Sequence, residues 1–140
     1  MKISSLILAL SIPLVAQLGF DLPAKAFELD GAWTTQADIC KNIFAKTGNT
    51  MSFRPDAEYH GSGFIVEGNS IRGTGAKCTI KARKEAGGIR HLIAICSTGI
   101  MIDQMQLTFK VDDDNRITRF FPGMEGFETS YVRCSFGEGK

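Results

Sequence analysis

The sequence predicts a mainly β protein: a small antiparallel β-barrel, or a two-sheet sandwich, of about seven to eight strands with one short N-terminal helix. Three observations support this fold class. Short runs of alternating apolar and polar residues follow one another at hairpin spacing from residue 50 to residue 135. Apolar residues recur at helical spacing only near residue 40. An even number of cysteines, four, indicates two disulfide bonds in a small exported domain.

Residues 1–26 have the pattern of a secretory signal peptide. Lys2 provides a positive start, an apolar run covers residues 3–15, and Ala24-Lys25-Ala26 ends the segment with small residues. The apolar run is shorter than the ~20 residues that a transmembrane helix needs. We therefore expect a periplasmic or secreted protein without a transmembrane span, in which residues 27–140 form a single disulfide-linked β domain.

The N-terminal part of this domain contains the predicted helix. Trp33, the one tryptophan, is expected to fill one end of the core, where its indole N–H needs a partner. Apolar residues then recur at helical spacing at Ala37, Cys40, Ile43 and Phe44. The stop signal Gly48-Asn49 follows. This pattern predicts a helix over residues 36–46, with Cys40 on its buried side.

Residues 76–96 form the best-supported element, a β-hairpin. Cys78, Ile80 and Ala82 share one face of the first strand. If Ala86-Gly87-Gly88 is a three-residue loop, these residues lie opposite Cys96, Ala94 and Leu92, respectively. This register favours a Cys78–Cys96 disulfide and leaves Cys40–Cys134 as the second. The alternative pairing joins Cys40 to Cys96 and Cys78 to Cys134.

The remaining strands are expected between turn residues, at 51–54, 63–67, 70–73, 100–111, 116–121 and 127–135. Gly68-Asn69 predicts a two-residue hairpin turn. A closed barrel leaves no unpaired edge in such a meander, and a sandwich is the alternative.

Charge argues against nucleic acid as a partner. The chain has 16 basic and 15 acidic side chains, a balance that gives little non-specific attraction to polyanions. The central hairpin is expected to carry a basic outer face, formed by Lys77, Lys81, Arg83, Lys84 and Arg90, with Arg72 nearby. No aromatic residues alternate with these charges, so base stacking is not supported. The face either keeps the sheet soluble or binds an acidic partner.

Groups suited to catalysis are few. His60 lies in a polar loop beside Asp56 and Tyr59, whereas His91 lies in a predicted strand. Neighbours on one loop rarely form a nucleophile–base pair, so we expect no catalytic residue and a non-enzymatic protein. The acidic turn at residues 112–115 lacks EF-hand spacing, and the cysteines lack a C-x-x-C pair. No metal or cofactor is therefore expected.

Two loops supply the candidate binding residues, which are Tyr59, His60, Phe120, Phe121, Met124 and Phe127. An exposed aromatic loop at residues 120–127 would form a partner or ligand contact. An inward-folded loop would instead close one end of the barrel. The sequence favours the inward alternative, because a small core needs aromatic mass.

Two resemblances to known proteins follow from these residues. The run Leu29-Asp30-Gly31-Ala32-Trp33 resembles the Gly-x-Trp opening of lipocalin-like and avidin-like barrels and of small periplasmic protease-inhibitor barrels. That resemblance implies that Trp33 lies near the barrel floor. The wider pattern runs from Trp33 through Cys40-x-x-Ile43-Phe44 to the closing Tyr131-Val132-Arg133-Cys134. It resembles a group of small exported, disulfide-bonded proteins of Gram-negative bacteria of unknown function, which implies export and disulfides but no activity.

The features together predict an exported, non-enzymatic binding protein. Its ligand is a small apolar molecule inside the barrel, or its partner is a protein at the rim. The alternative is an inhibitor of a secreted hydrolase, such as a lysozyme or a protease. In that case the loop at residues 56–63 or 120–127 would insert into the target's cleft.

Overall fold

The computed structural model describes residues 29–137 and shows a closed antiparallel barrel of eight strands. The strands in chain order are β1 (Gly31–Thr34), β2 (Phe44–Thr47), β3 (Thr50–Phe53), β4 (Gly63–Glu67), β5 (Ser70–Arg72), β6 (Lys77–Ala86), β7 (Ile89–Ser97), β8 (Ile102–Asp113), β9 (Arg116–Phe120) and β10 (Glu128–Arg133). The order around the barrel is β1-β10-β9-β8-β7-β6-β5-β4, and β2 and β3 form a separate two-stranded sheet. The barrel prediction is confirmed. The predicted signal peptide, residues 1–26, lies outside the described residues.

The central hairpin, β6 and β7, follows the predicted register only in part. Cys78 pairs with Cys96, and Ile80 pairs with Ala94, as expected. The predicted pairing of Ala82 with Leu92 is wrong, because a β-bulge shifts the register after Ile80. The turn consists of two residues, Gly87-Gly88, whose positive φ angles of 59° and 77° suit a type I′ turn.

Both disulfides have the favoured pairing. Cys78 is bonded to Cys96 within the hairpin, and Cys40 is bonded to Cys134 across 94 positions of sequence. The alternative pairing is therefore excluded.

The helix is shorter than the prediction of residues 36–46. A 3₁₀ turn (Ala37–Ile39) leads into a single α-helical turn, α1 (Cys40–Ile43). Phe44 then has extended backbone angles and begins β2. It lies directly opposite Phe53 of β3, with ring centroids 5.2 Å apart. This cross-strand aromatic pair replaces the expected last helical turn, and Gly48 turns a hairpin instead of ending a helix.

Two hydrophobic cores share the first barrel strands. Side chains of a strand point alternately to its two faces, so Trp33 and Val66 point into the barrel while Ala32 and Ile65 point outward. The outward residues are covered by α1 and the β2–β3 hairpin, which contribute Cys40, Ile43 and Phe44 to the second core. This outer layer covers the outward face of β1 and β4, whereas the site described below lies inside the barrel. Within residues 29–137, no helix is long and apolar enough to span a membrane.

The two ends of the barrel differ. At one end, which we call the closed end, Trp33 is fully buried and its indole N–H donates to the Leu29 carbonyl at 2.8 Å. The Arg133 guanidinium lies 4.4 Å from the Trp33 ring centroid and donates to the carbonyls of Asp30 and Asp114. Trp33 thus fills one end of the core as predicted. The opposite, open end carries the β1–β4 connection and the loops at residues 73–76, 98–101 and 121–127.

Candidate ligand-binding site

A cavity of about 210 Å³ enters the barrel at its open end. Five strands supply its apolar wall, principally through Phe64, Ile71, Cys78, Leu107, Phe109 and Tyr131, and β9 contributes Arg119. Towards the closed end the interior is filled by Trp33, Leu92 and Ile117, each at most 1% exposed. An eight-stranded barrel is just wide enough for packed side chains or for one small ligand. This barrel combines the two, with a packed floor and a cavity above it.

Aromatic rings form the firmest part of the cavity wall. The Phe64 ring meets the edge of Tyr131 at a centroid distance of 5.0 Å and contacts Phe109 at 6.0 Å. Tilted and edge-to-face contacts of this kind are favourable and orient the rings. The cavity therefore has a wall whose shape is set by packing within the barrel.

Arg119 is the charged residue of the cavity wall. Alternation along β9 turns Ile117 and Arg119 inward, and Arg119 lies directly opposite Phe109 of β8. Its Nε is buried and meets no hydrogen-bond acceptor among the described residues. Its guanidinium carbon lies 4.5 Å from the Phe121 ring centroid, a cation–π contact. No carboxylate within residues 29–137 lies at ion-pair distance from it.

A second inward arginine provides a comparison. Arg90 lies opposite Phe109 on the other side of β8, and its guanidinium is 2.9 Å from the Glu85 carboxylate. The prediction that Arg90 belongs to a basic outer face is therefore wrong. Arg72 is also paired, with Glu67 at 3.1 Å. The other residues of that face are exposed, as expected, namely Lys77, Lys81, Arg83 and Lys84.

Exposed apolar side chains surround the open end. Among the described residues, the large hydrophobic side chains with high exposure are Tyr59, Ile100, Met101, Ile102, Met105, Met124 and Phe127. Ile100, Met101, Ile102, Met124 and Phe127 belong to loops or to a strand end at the open end, and Met105 lies in β8 and also lines the cavity. We call these six residues the apolar rim. Tyr59 lies in a 3₁₀ turn of the β1–β4 connection.

For the aromatic loop at residues 120–127, the sequence favoured an inward fold. In the structure the loop residues 121–127 instead turn their largest apolar side chains outward. Two successive turns, closed by the N–H groups of Met124 and Phe127, carry glycines at positive φ in their third positions. They direct Met124 and Phe127 outward, where the two side chains are 50% and 63% exposed. Phe120 and Phe121 are half-buried. The loop thus contributes the exposed Met124 and Phe127 to the apolar rim, while its Phe121 ring packs against Arg119.

Tyr59 and His60, the other predicted site residues, do not line the cavity. Tyr59 is 84% exposed, and His60 lies beside it with its Nε2 3.3 Å from the Asp56 carboxylate. This hydrogen bond is the main cause that lowers the pKa of Asp56. His91 instead contacts the Thr108 hydroxyl at 3.3 Å. The described part of the chain contains no group of three residues suited to holding a metal ion.

The cavity includes residues that the sequence analysis did not select. Leu107, Phe109 and Tyr131 have the alternation of inward positions, but a filled core and a pocket share that pattern. Arg119 had a signal of its own, since it lies two positions after Ile117 in a barrel strand.

A comparison of the chain with protein-family models, with curated proteins and with solved structures found no match. The site is therefore interpreted from its own geometry.

Proposed function

We propose that the protein is an exported, non-enzymatic binding protein that holds a small, mainly apolar ligand in the open end of its barrel. The observation that carries this proposal is the 210 Å³ cavity with its apolar wall. Concave, mostly apolar sites with few polar groups are the usual form of small-molecule sites. The N-terminal signal pattern and the two disulfides support a periplasmic or secreted location.

Cavity size limits the ligand. An apolar protein cavity of about 150 Å³ accommodates benzene, so a cavity of about 210 Å³ suits one ring with a small substituent or a short branched chain. Met105, the residue of the apolar rim that also lines the cavity, would cover the part of such a ligand that remains at the opening.

The test uses fluorine NMR with two small probes, 4-fluorotoluene and 4-fluorobenzoate, added to the full mature protein. Met105, which lines the cavity and is 39% exposed, is replaced by tryptophan to obstruct the opening. Ile102→Trp is the matched control, because Ile102 lies on the same strand, is 77% exposed and does not line the cavity.

We expect saturable binding of at least one probe, at least tenfold weaker in Met105→Trp and unchanged in Ile102→Trp. Absence of saturable binding to the unaltered protein, or equal affinities in both variants, would reject an internal binding site.

A second function, inhibition of a secreted hydrolase, is favoured by a separate observation. Met124 and Phe127 are exposed on a loop whose two turns hold them outward. Exposed apolar patches on small proteins mark interaction sites. We propose this loop as the part that would contact a lysozyme or a protease. The double variant Met124→Ser/Phe127→Ser should then lose inhibition, and a lack of inhibition by the unaltered protein across a hydrolase panel rejects the role.

A further inference from the structure

We propose that the ligand of the cavity is an apolar carboxylic acid, bound as its anion, whose carboxylate pairs with Arg119. This inference rests on the proposed function, since it assigns the chemical class of the ligand to the same cavity. It follows from the state of one side chain, and from a contrast in ion pairing between two inward-facing arginines.

The first argument is the unsatisfied donor. Buried polar groups in folded proteins have hydrogen-bond partners in the great majority of cases, and a buried donor without an acceptor is costly. The Nε–H of Arg119 is buried without an acceptor among the described residues, in a side chain that lines the cavity. An acceptor supplied from within the cavity would satisfy it.

The second argument is charge. Arg90 and Arg119 lie on opposite sides of Phe109, one on β7 and the other on β9. Arg90 has the Glu85 carboxylate at 2.9 Å, whereas residues 29–137 provide no carboxylate to Arg119. The Arg119 side chain is half-buried beside the apolar residues of the cavity wall, and a counter-charge stabilises a cation that is partly withdrawn from water. At Arg119 the ligand would supply it.

The third argument is the placement of the guanidinium. The guanidinium carbon lies 4.5 Å from the Phe121 ring centroid. This cation–π contact positions the guanidinium through its positive charge and uses none of its N–H donors. No hydrogen bond to an acceptor among the described residues engages its N–H donors. A planar guanidinium presents these donors in a fork that matches a carboxylate. The apolar part of the acid would lie against Leu107 and Phe109, which line the same cavity.

The experiment compares the anionic and neutral probes in an arginine variant. Arg119→Met keeps most of the side-chain length and removes the charge. Arg116→Met is the matched control, because Arg116 is exposed on the same strand and does not line the cavity. Arg119→Lys, which keeps the charge but loses the fork, provides a second variant in case the methionine variant fails to fold.

We expect Arg119→Met to weaken 4-fluorobenzoate binding at least tenfold and to leave 4-fluorotoluene within twofold. Arg119→Lys should weaken the benzoate less, and Arg116→Met should change neither probe. An ordered water on the Nε, the competing explanation, predicts that loss of Arg119 affects both probes alike. That result would overturn the inference while leaving an apolar binding site. Failure of both probes to bind the unaltered protein would overturn the proposed function and this inference together.

Discussion

Loss of the Cys40–Cys134 disulfide should destabilise the fold more than loss of Cys78–Cys96. In the chain-entropy model a cross-link restricts the unfolded chain, and the effect grows with the length of the closed loop. The two bonds close loops of 94 and 18 residues of sequence separation. The model then gives about 4.7 kcal/mol for the long loop and about 3.2 kcal/mol for the short one.

Alanine replacement of both cysteines of a pair isolates this effect. It leaves no unpaired thiol and buries no new polar group. Each variant removes two sulfur atoms from a hydrophobic core, so the loss of packing is similar in the two variants and the difference between them reports the cross-links. The end of β10 stays attached without its sulfur, because the Cys134 N–H donates to the Ala32 carbonyl at 2.8 Å. We therefore expect both double variants to keep the native barrel.

Urea unfolding, followed by Trp33 fluorescence and by far-UV circular dichroism, measures the free energy of unfolding of each variant, and thermal unfolding followed by the same signals measures its melting temperature. At roughly 4 °C per kcal/mol for a domain of this size, the melting temperature should fall by about 19 °C for Cys40→Ala/Cys134→Ala and by about 13 °C for Cys78→Ala/Cys96→Ala. A reversed order would refute the reasoning, as would two variants within about 0.5 kcal/mol of the unaltered protein. A reduced slope against urea would instead show that the native state had lost its outer layer.

Two further predictions concern residues 56–63, the segment that leads into β4. Gly63→Ala should lower the free energy of unfolding by about 1–3 kcal/mol, because the new Cβ would lie 2.7 Å from the Phe44 ring and 2.8 Å from a backbone carbonyl oxygen. Gly75→Ala, with nothing within 4 Å, is the neutral control, and equal urea midpoints for the two variants would contradict the packing argument. His60→Ala should raise the pKa of Asp56 towards the ordinary aspartate value, since it removes the hydrogen bond that lowers it. Because the folded pKa is the lower one, the stabilisation from this bond is present above the unfolded value of ~3.9 and is lost as the pH falls through the folded pKa. Carbon NMR titration of the Asp56 carboxyl checks this, and an unchanged midpoint would count against the contact.

The first half of the central hairpin could be predicted, and the second half could not. Up to Ile80 each small or apolar residue of β6 faces the core, so only one register buries them all. Beyond Ile80 every residue of β6 is exposed, and a strand without a buried face specifies its register weakly. The bulge, between Ile80 and Ala82, lies where β6 passes from having a buried face to being exposed on both faces.

The helix was overpredicted because its deciding contacts are distant in sequence. Spacing of apolar residues continues through Phe44, and nothing local ends the helix before Gly48. Phe44 nevertheless has an extended backbone, because its ring packs against Phe53. The ring also occupies room that a side chain at position 63 would fill. Tertiary packing of one aromatic residue thus overrides the helical pattern.

In the candidate site, the ion pairing of the inward arginines also depends on tertiary structure that the sequence does not determine. With the predicted three-residue loop, Arg90 would lie opposite Lys84, and like charges would face each other. The bulge and the two-residue turn shift the strand by one residue and bring Glu85 opposite Arg90 instead. One inward arginine thereby acquires its carboxylate from the neighbouring strand. Arg119, whose neighbours on β8 and β10 are Phe109 and Thr129, has no such neighbour. The register shift therefore gives Arg90 a carboxylate partner, and Arg119, on which the proposed acid site depends, receives none from its neighbouring strands. The sequence alone does not specify this shift, so it could not distinguish the two arginines.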